Sequence, residues 1–420
     1  MPWVPLMVIW AALYIPAQYM KSYLYAMLAW LALASLALPA TADAADQSAA
    51  GPSLQEALAA AMERGADRQL AIEASPYETS SWLAGLPSLG LTYLDSEQRY
   101  GTDEAELNLN LPLKSGRRRS ADDALQGLAE DLDGWGQRQR QLYYSGLLRE
   151  VLWGYRLADA QRRFAADKRA VLLELEQRQQ ELLAASATSE YALLLLQTEL
   201  VDVEVAQQEY LQETRRWRQR YRQLTGLEVL PGEIRETAPP LDGFTPGQHP
   251  RLRVLELANQ QQRQLLRANS AAAADWNVAL TAKNFETAGY DEQQYGLGVE
   301  IPLSALDIAT ESDNAQWRAL QRDYLLARDQ ALNELRDNWE QLLNEREVLQ
   351  QKQRLLERSE KLAGRIAEQL AQLQASNEIG QEILLRRMMS STDTRAAVAV
   401  NRILLDRNNA MLRQAAGLSL

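Results

Sequence analysis

Apolar and polar positions alternate with two different periods along this chain. From Ala105 the run "AELNLNLPL" puts Leu107, Leu109, Leu111 and Leu113 on one side of an extended segment, with Asn108 and Asn110 on the other. A period of two marks a strand with one apolar face. From "KSGRRRS" onward the chain switches to a helical pattern far longer than the strand. In its later counterpart Leu332, Leu335, Trp339 and Leu342 step by three and four, Leu342, Leu349 and Leu356 by seven, and Ile366, Leu370 and Leu373 by four and three. Such a stripe needs a partner along its whole length. It is often broken and flanked by Gln, Arg and Glu, which predicts helices packed on two neighbours around a curved wall, not one tight dimer.

The pattern occurs twice. The strand "ELNLNLPL", ending at Leu113, has a counterpart in "YGLGVEIPL", ending at Leu303, 190 positions later. That offset pairs Leu107 with Leu297, Leu109 with Val299, Leu111 with Ile301 and Pro112 with Pro302. Down the adjoining helix it pairs Leu142 with Leu332, Leu152 with Leu342 and Leu172 with Leu362; "QLTGL" at Gln223 matches "QAAGL" at Gln414 one position out of step. Strand, proline and terminal glycine share one register, so the chain is an internal duplication.

Each copy has the same order of parts. The first repeat, 45–229, holds a short helix, a strand pair at 87–98 and 104–113, a long helix over 118–183 and a return helix over 190–224. A linker with five prolines and little periodicity spans 230–250. The second repeat, 251–420, holds a helix, strands at 276–286 and 294–303, a long helix over 312–374 and a return helix over 381–416. About 66 residues at 1.5 Å each make a rod of roughly 100 Å. The breaks at "AASATSE" and "ASNEIGQ" are short enough to force the chain back antiparallel. The fold class is therefore mainly α, with four β-strands and long antiparallel helical hairpins forming an α-barrel wall.

The first 44 residues read as an export signal. Lys21 precedes the apolar run "SYLYAMLAWLALASLALPA", and Ala42-Asp43-Ala44 supplies small residues at Ala42 and Ala44 for cleavage. A start at Met20 would give a leader of ordinary form, since the preceding "MPWVPLMVIWAALYIPAQY" carries no charge. Left uncleaved, the same region is apolar enough for a membrane helix.

Composition then removes function classes. The formal net charge of -12 and pI near 4.9 argue against nucleic acid, which demands a basic surface. With 0 Cys and 1 His, disulfides, a thiol nucleophile and structural zinc drop out, and the usual general acid-base residue is nearly missing. No catalytic, metal or cofactor residues are expected, and the chain reads as a non-enzyme. Gly296 and Gly298 lead into a strand and lack the third glycine of a nucleotide loop. His249, in the linker, is expected at the surface.

Strands of 10 to 12 residues suffice to cross an outer membrane, where about 9 to 11 tilted residues are needed. Alternating faces then suit lipid outside and water inside. Leu107, Leu109, Leu111, Leu113, Leu297, Val299, Ile301 and Leu303 are the expected lipid-facing set, with Tyr93, Tyr100, Trp276, Tyr290 and Tyr295 placed as interfacial aromatics. Four strands cannot close a barrel, and an open edge in hydrocarbon strands unpaired backbone groups. Several chains must share one barrel of eight, twelve or sixteen strands; the smallest would be filled by side chains. The competing reading is a periplasmic coiled-coil scaffold or adaptor whose strands form a small soluble sheet.

The duplicated order of helix, strand pair, long helix, tip and return helix, with "LPLKSGRRRS" and "IPLSALD" at the strand-to-helix junctions, "HPRLRVLELANQQQRQLLRANSA" opening the second half and "LTGL" closing the first, resembles the TolC-like outer-membrane efflux family. The resemblance spans about Leu54 to Leu418 and rests on order and spacing. It implies a homotrimer whose shared twelve-stranded barrel in the outer membrane continues as a periplasmic helical tunnel. It also implies docking to a periplasmic adaptor (membrane fusion protein) and an inner-membrane pump, in tripartite efflux or type I secretion. Adaptor contact would fall on the tips, Ala187, Thr188, Ser189 and Glu190 in the first repeat and Asn377, Glu378, Ile379 and Gly380 in the second. The first tip lacks the glycine that family members usually carry there.

Overall fold

The computed structural model describes residues 51–68, 80–185, 189–240, 244–269, 275–302, 310–375 and 381–420. The expected cleavage residues Ala42 and Ala44, the strand end Leu303 and the tip residues Ala187, Thr188, Asn377, Glu378, Ile379 and Gly380 lie outside them. The elements in chain order are α1 (Leu54–Arg68), β1 (Ser88–Leu94), β2 (Asp103–Leu113), α2 (Gly116–Ala184), α3 (Glu190–Thr225), α4 (Pro250–Asn269), β3 (Trp276–Thr287), β4 (Tyr290–Glu300), α5 (Glu311–Ala375) and α6 (Gln381–Ala415). A single 3₁₀ turn, Pro246–Gln248, precedes α4. The fold is mainly helical, with four antiparallel strands in one sheet.

Local chemistry sets the helix ends. Ser53 and Glu56 form a reciprocal cap on α1, the Ser53 amide donating to Glu56 Oε2 (2.7 Å) and the Glu56 amide to Ser53 Oγ (3.2 Å). Thr310 and Asp313 repeat the device on α5. Ser115 caps α2 by accepting from the Arg118 amide at 3.3 Å, so this helix begins two residues earlier than its sequence pattern suggests. The glycines closing the two repeats both take a left-handed conformation, Gly226 at φ 78° and Gly417 at φ 81°. There they end α3 and α6. Gly417 is needed for space as well, since a Cβ there would meet Pro250 Cδ at 2.9 Å and His249 Cδ2 at 3.0 Å.

The two long helices, 69 and 65 residues, each fold back against a partner about half their length, α2 against α3 and α5 against α6. Between α2 and α3 the buried stripe is Ala165, Leu172, Leu175, Leu196 and Val203. In the second hairpin the register is held by two buried asparagines seven residues apart on α6. Asn401 Nδ2 donates to the Leu349 carbonyl and to Gln353 Oε1, both at 2.9 Å, and Asn408 Nδ2 to the Leu342 carbonyl at 3.0 Å. A polar group buried in a helical seam is stable only where its partner sits at the right height, so these residues fix the slide of α6 along α5.

The main core forms where α1, α2, α3, the linker and the end of α6 converge: Ala57, Ala61, Leu148, Val151, Leu152, Trp153, Tyr221, Ile234 and Ala410 are buried together. Its centre is charged. Arg149, 1% exposed, grips Glu236 with two bonds (Nε–Oε1 2.9 Å, Nη2–Oε2 2.6 Å) and donates to the Leu418 carbonyl at 3.0 Å. Arg413 stands 3.0 Å from the same carboxylate. The described linker residues therefore form a strap anchored at particular side chains, with Phe244 also stacked on Trp339 at 5.2 Å between ring centroids. His249 is buried in it at 5% exposure, contrary to the surface position expected, because the close approach at Gly417 covers its ring.

The strap makes two measurable differences. Arg149→Leu leaves the buried Glu236 with one remaining cation and should cost about 3–5 kcal/mol, read as a lower unfolding temperature of the detergent-purified protein. Burial, helped by the Arg251 charge, lowers the His249 pKa to about 4. Between the unfolded value and that one, only the unfolded chain takes up the proton. Stability should thus fall as pH drops through this window by roughly 1 kcal/mol per pH unit, a component that His249→Gln removes when melting curves of the two proteins are compared.

Candidate functional site

The sheet is where the chain departs from ordinary globular chemistry. Its order is β1-β2-β3-β4, all antiparallel. β1 and β2 belong to the first repeat and β3 and β4 to the second, so the β2–β3 pair joins the copies, with Thr102 Oγ1 and Thr287 Oγ1 3.0 Å apart at its end. Its cross-strand rows separate by polarity. Leu89, Leu109, Leu280 and Leu297 form one row; Leu91, Leu107, Ala282 and Tyr295 form the next; Leu111, Val278 and Val299 a third. The rows between them read Gly90, Asn108, Thr281, Gly296 and Thr92, Glu106, Lys283, Gln294. One face is thus a continuous apolar band and the other is polar.

On the polar face Lys283 Nζ lies 2.9 Å from both Glu104 and Glu106, tying β3 to β2. On the apolar face nothing among the described residues covers the band. Leu91 is 79% exposed, Leu297 69% and Val299 53%. A contiguous apolar surface of this extent has to be covered by lipid or protein. The outer edges of β1 and β4 have no strand partner among the described residues.

The sheet is bolted to the helices at one end. Lys114 comes directly after β2; its Nζ donates to the Ser80 carbonyl at 2.6 Å and pairs with Asp122 at 2.7 Å. Arg118 pairs with Asp275, just before β3, at 2.7 Å. The arginine run that opposes the helix dipole at the start of α2 therefore has one member linking the repeats.

Of the residues singled out in the sequence, Leu107, Leu109 and Leu111 share their face with Leu297 and Val299, and Leu113, paired with Trp276, ends the same face. Ile301 lies one residue beyond β4, 52% exposed. Ser189 precedes α3 and Glu190 is its first residue. The strand bounds differ from those expected most at β1 and β4, and β4 also ends at Glu300, short of 303. β1 is shorter than 87–98, and β4 starts at Tyr290 instead of 294, because the second hairpin turns on Ala288 and Gly289 alone, with Gly289 at φ 97°. As a result Tyr295 sits mid-strand, not at a rim. Tyr93, Tyr100 and Tyr290 do fall near the hairpin ends, and Trp276 at the helix end. The apolar face also takes in Leu89, Leu91 and Leu280, outside the set expected from sequence, although the alternation in "LPSLGLTYL" and "WNVALTAK" carries their signal.

No family profile matches this chain, and no curated protein sequence does. Solved structures do match. VceC, an outer membrane protein of Vibrio cholerae, superposes with a TM-score of 0.61 at 12% identity over 87% of this chain and 91% of that one. The MtrE outer membrane channel of Neisseria gonorrhoeae, in its open state, gives 0.58 at 14% identity over 88% and 90%. CusC, described by its transmembrane channel formation, gives 0.57 at 14% over 87% of each. The chain has the TolC-like fold of outer-membrane channels. Among the described residues no helix is long and apolar enough to cross a membrane and no group of His, Cys, Asp and Glu is arranged to hold a metal.

Proposed function

We propose that this chain is one of three identical subunits of an outer-membrane exit duct. The three four-stranded sheets close into one twelve-stranded barrel, and the helical hairpins continue it as a tunnel through the periplasm. A periplasmic adaptor and an inner-membrane pump deliver substrate to the helical tips around Glu190, and the duct conducts it passively. The observation that carries this reading is the sheet itself, with an uncovered apolar face, a polar opposite face and two free edges among the described residues. In hydrocarbon such edges are tolerated only when closed by further strands. Twelve strands leave a lumen, whereas eight would be filled by side chains. The apolar leucines face lipid, and the row through Asn108 and Thr281 and the row through Lys283 face water.

A soluble scaffold with the same helices is disfavoured by the same face, because its leucines would meet water over three adjoining rows.

The test is native mass spectrometry of the outer-membrane fraction in detergent, with planar-bilayer recording on the same preparation. A trimer with discrete conductance steps is expected; a soluble monomer overturns the reading. Leu280→Arg, at mid-strand on the apolar face, should cost about 2–4 kcal/mol in the bilayer and sharply reduce the inserted fraction. Its neighbour Thr281→Arg, on the polar face, should insert normally and alter conductance.

A further inference from the structure

Helix α2 packs against both α3 and α6, and the furrow between those two opens into a cavity of about 430 Å³. Its apolar lining comes from all three helices: Phe164 and Ala165 of α2, Val203 and Tyr210 of α3, Val400 and Leu404 of α6. Ala206, Ala396 and Ala397 leave it open, since none has a side chain long enough to fill the furrow. Apolar walls around a few polar groups, at this volume, are the usual make-up of a small-molecule site. Toward the tips the cavity meets the Lys168 ammonium, which bridges Glu199 of α3 at 2.6 Å and Asp393 of α6 at 3.0 Å.

Two independent features say what would fill it. The first is an acceptor without a donor. Asn401, which lines the cavity, is 1% exposed. Its Nδ2 is spent on the Leu349 carbonyl and on Gln353 Oε1, yet its buried Oδ1 receives no hydrogen bond. Buried amide oxygens are nearly always paired. The second is charge. Glu199, Asp202 and Asp393 line the cavity against Lys168 and Lys352, so carboxylates exceed ammoniums by one. Lys168 is already shared by two of them, and Asp202, exposed one turn along α3 from Glu199, has no cationic partner among the described residues. Because the Lys168 bridge sets Glu199 level with Asp393, Asp202 and Asn401 stand about 7 Å apart along the furrow.

We infer that this furrow binds a small amphipathic amine. Its ammonium lies at the Asp202 and Asp393 end, its apolar body between Val203 and Val400, and an N–H or O–H about 7 Å from the ammonium donates to Asn401 Oδ1. An anion is turned away by the surplus carboxylate, and a purely apolar molecule leaves both polar groups unanswered. The occupant touches both hairpins at once, about 24 Å short of the tip end of α2, and so braces the joint that Lys168 holds. It is a ligand of the wall, distinct from any cargo. The site is built from one chain and does not depend on three copies closing a duct.

Tryptamine, with an ammonium and an indole N–H at the two ends of an apolar ring system, is the probe. It is dialysed to equilibrium against the full-length protein in nanodiscs of zwitterionic lipid, with empty nanodiscs subtracted. Saturable binding is expected, with a rise in melting temperature. Tryptamine methylated on the indole nitrogen should bind about fivefold more weakly for want of the donor to Asn401. Tryptophol, the neutral alcohol, should lose about fivefold for want of the charge, and the anion indolepropionate should not bind. Asp202→Asn, at an exposed position without an ionic partner, should weaken tryptamine about fivefold and leave tryptophol unchanged. Ala397→Phe, which fills the furrow, should abolish binding of both. Absence of saturable binding, which leaves the cavity to water, overturns the site; so does equal binding of the four compounds, or indifference to both substitutions. Native mass and conductance on the same preparations keep the two readings apart: a conducting trimer that binds no tryptamine overturns the site alone, and a monomer that binds it as described upholds the site and overturns the duct.

Discussion

A backbone amide inside hydrocarbon has no water to bond with, and leaving it unpaired costs several kcal/mol. On the proposed exit-duct reading, most of the unusual features of this chain trace back to that constraint. The sheet ends at β1 and β4 with open edges and carries an apolar face that nothing among the described residues covers. In the proposed barrel a single copy cannot close such a sheet. The duplication supplies strands in pairs, and the β2–β3 contact welds the two pairs into one four-stranded unit, the unit that the proposed duct repeats.

The helices answer a different requirement. A rod of roughly 100 Å has no compact core to hold it, so adhesion must be distributed along its length. Alanines and leucines do this between α2 and α3. Apolar stripes alone permit sliding by a turn, however, and the polar residues remove that freedom. Asn401 and Asn408 hold α6 to α5 at fixed heights, and the Lys168 ammonium, 2.6 Å from Glu199 and 3.0 Å from Asp393, holds both hairpins together. These groups contribute little adhesion and much specificity. At the sheet end of the hairpins the Arg149–Glu236 pair plays the same part among the converging segments, its burial making any displacement costly.

Much of this is legible in the residue pattern, and the reason is periodicity. Leu107 to Leu113 alternate because a sheet has two faces, and the repeat offset shows because both copies keep that alternation with the same proline and the same terminal glycine. Positions without a period are harder to place. His249 and Glu236 lie in a proline-rich stretch that looks like a solvated linker, yet each fills a particular cleft whose shape comes from helices remote in sequence. Tyr295 looks like a rim residue in sequence because the turn before it reads as a long one; Gly289 at φ 97° closes it in two residues.

The sequence by itself determined the kinds of element, their order, their duplication and the polarity of each strand face, because these depend only on neighbours one to seven residues away. Tertiary structure alone decided which rows align across the four strands, the heights of the hairpins and the burial of Ile234 and His249 in the strap. Those depend on where a distant carbonyl or carboxylate comes to rest, and no local spacing in the chain records it.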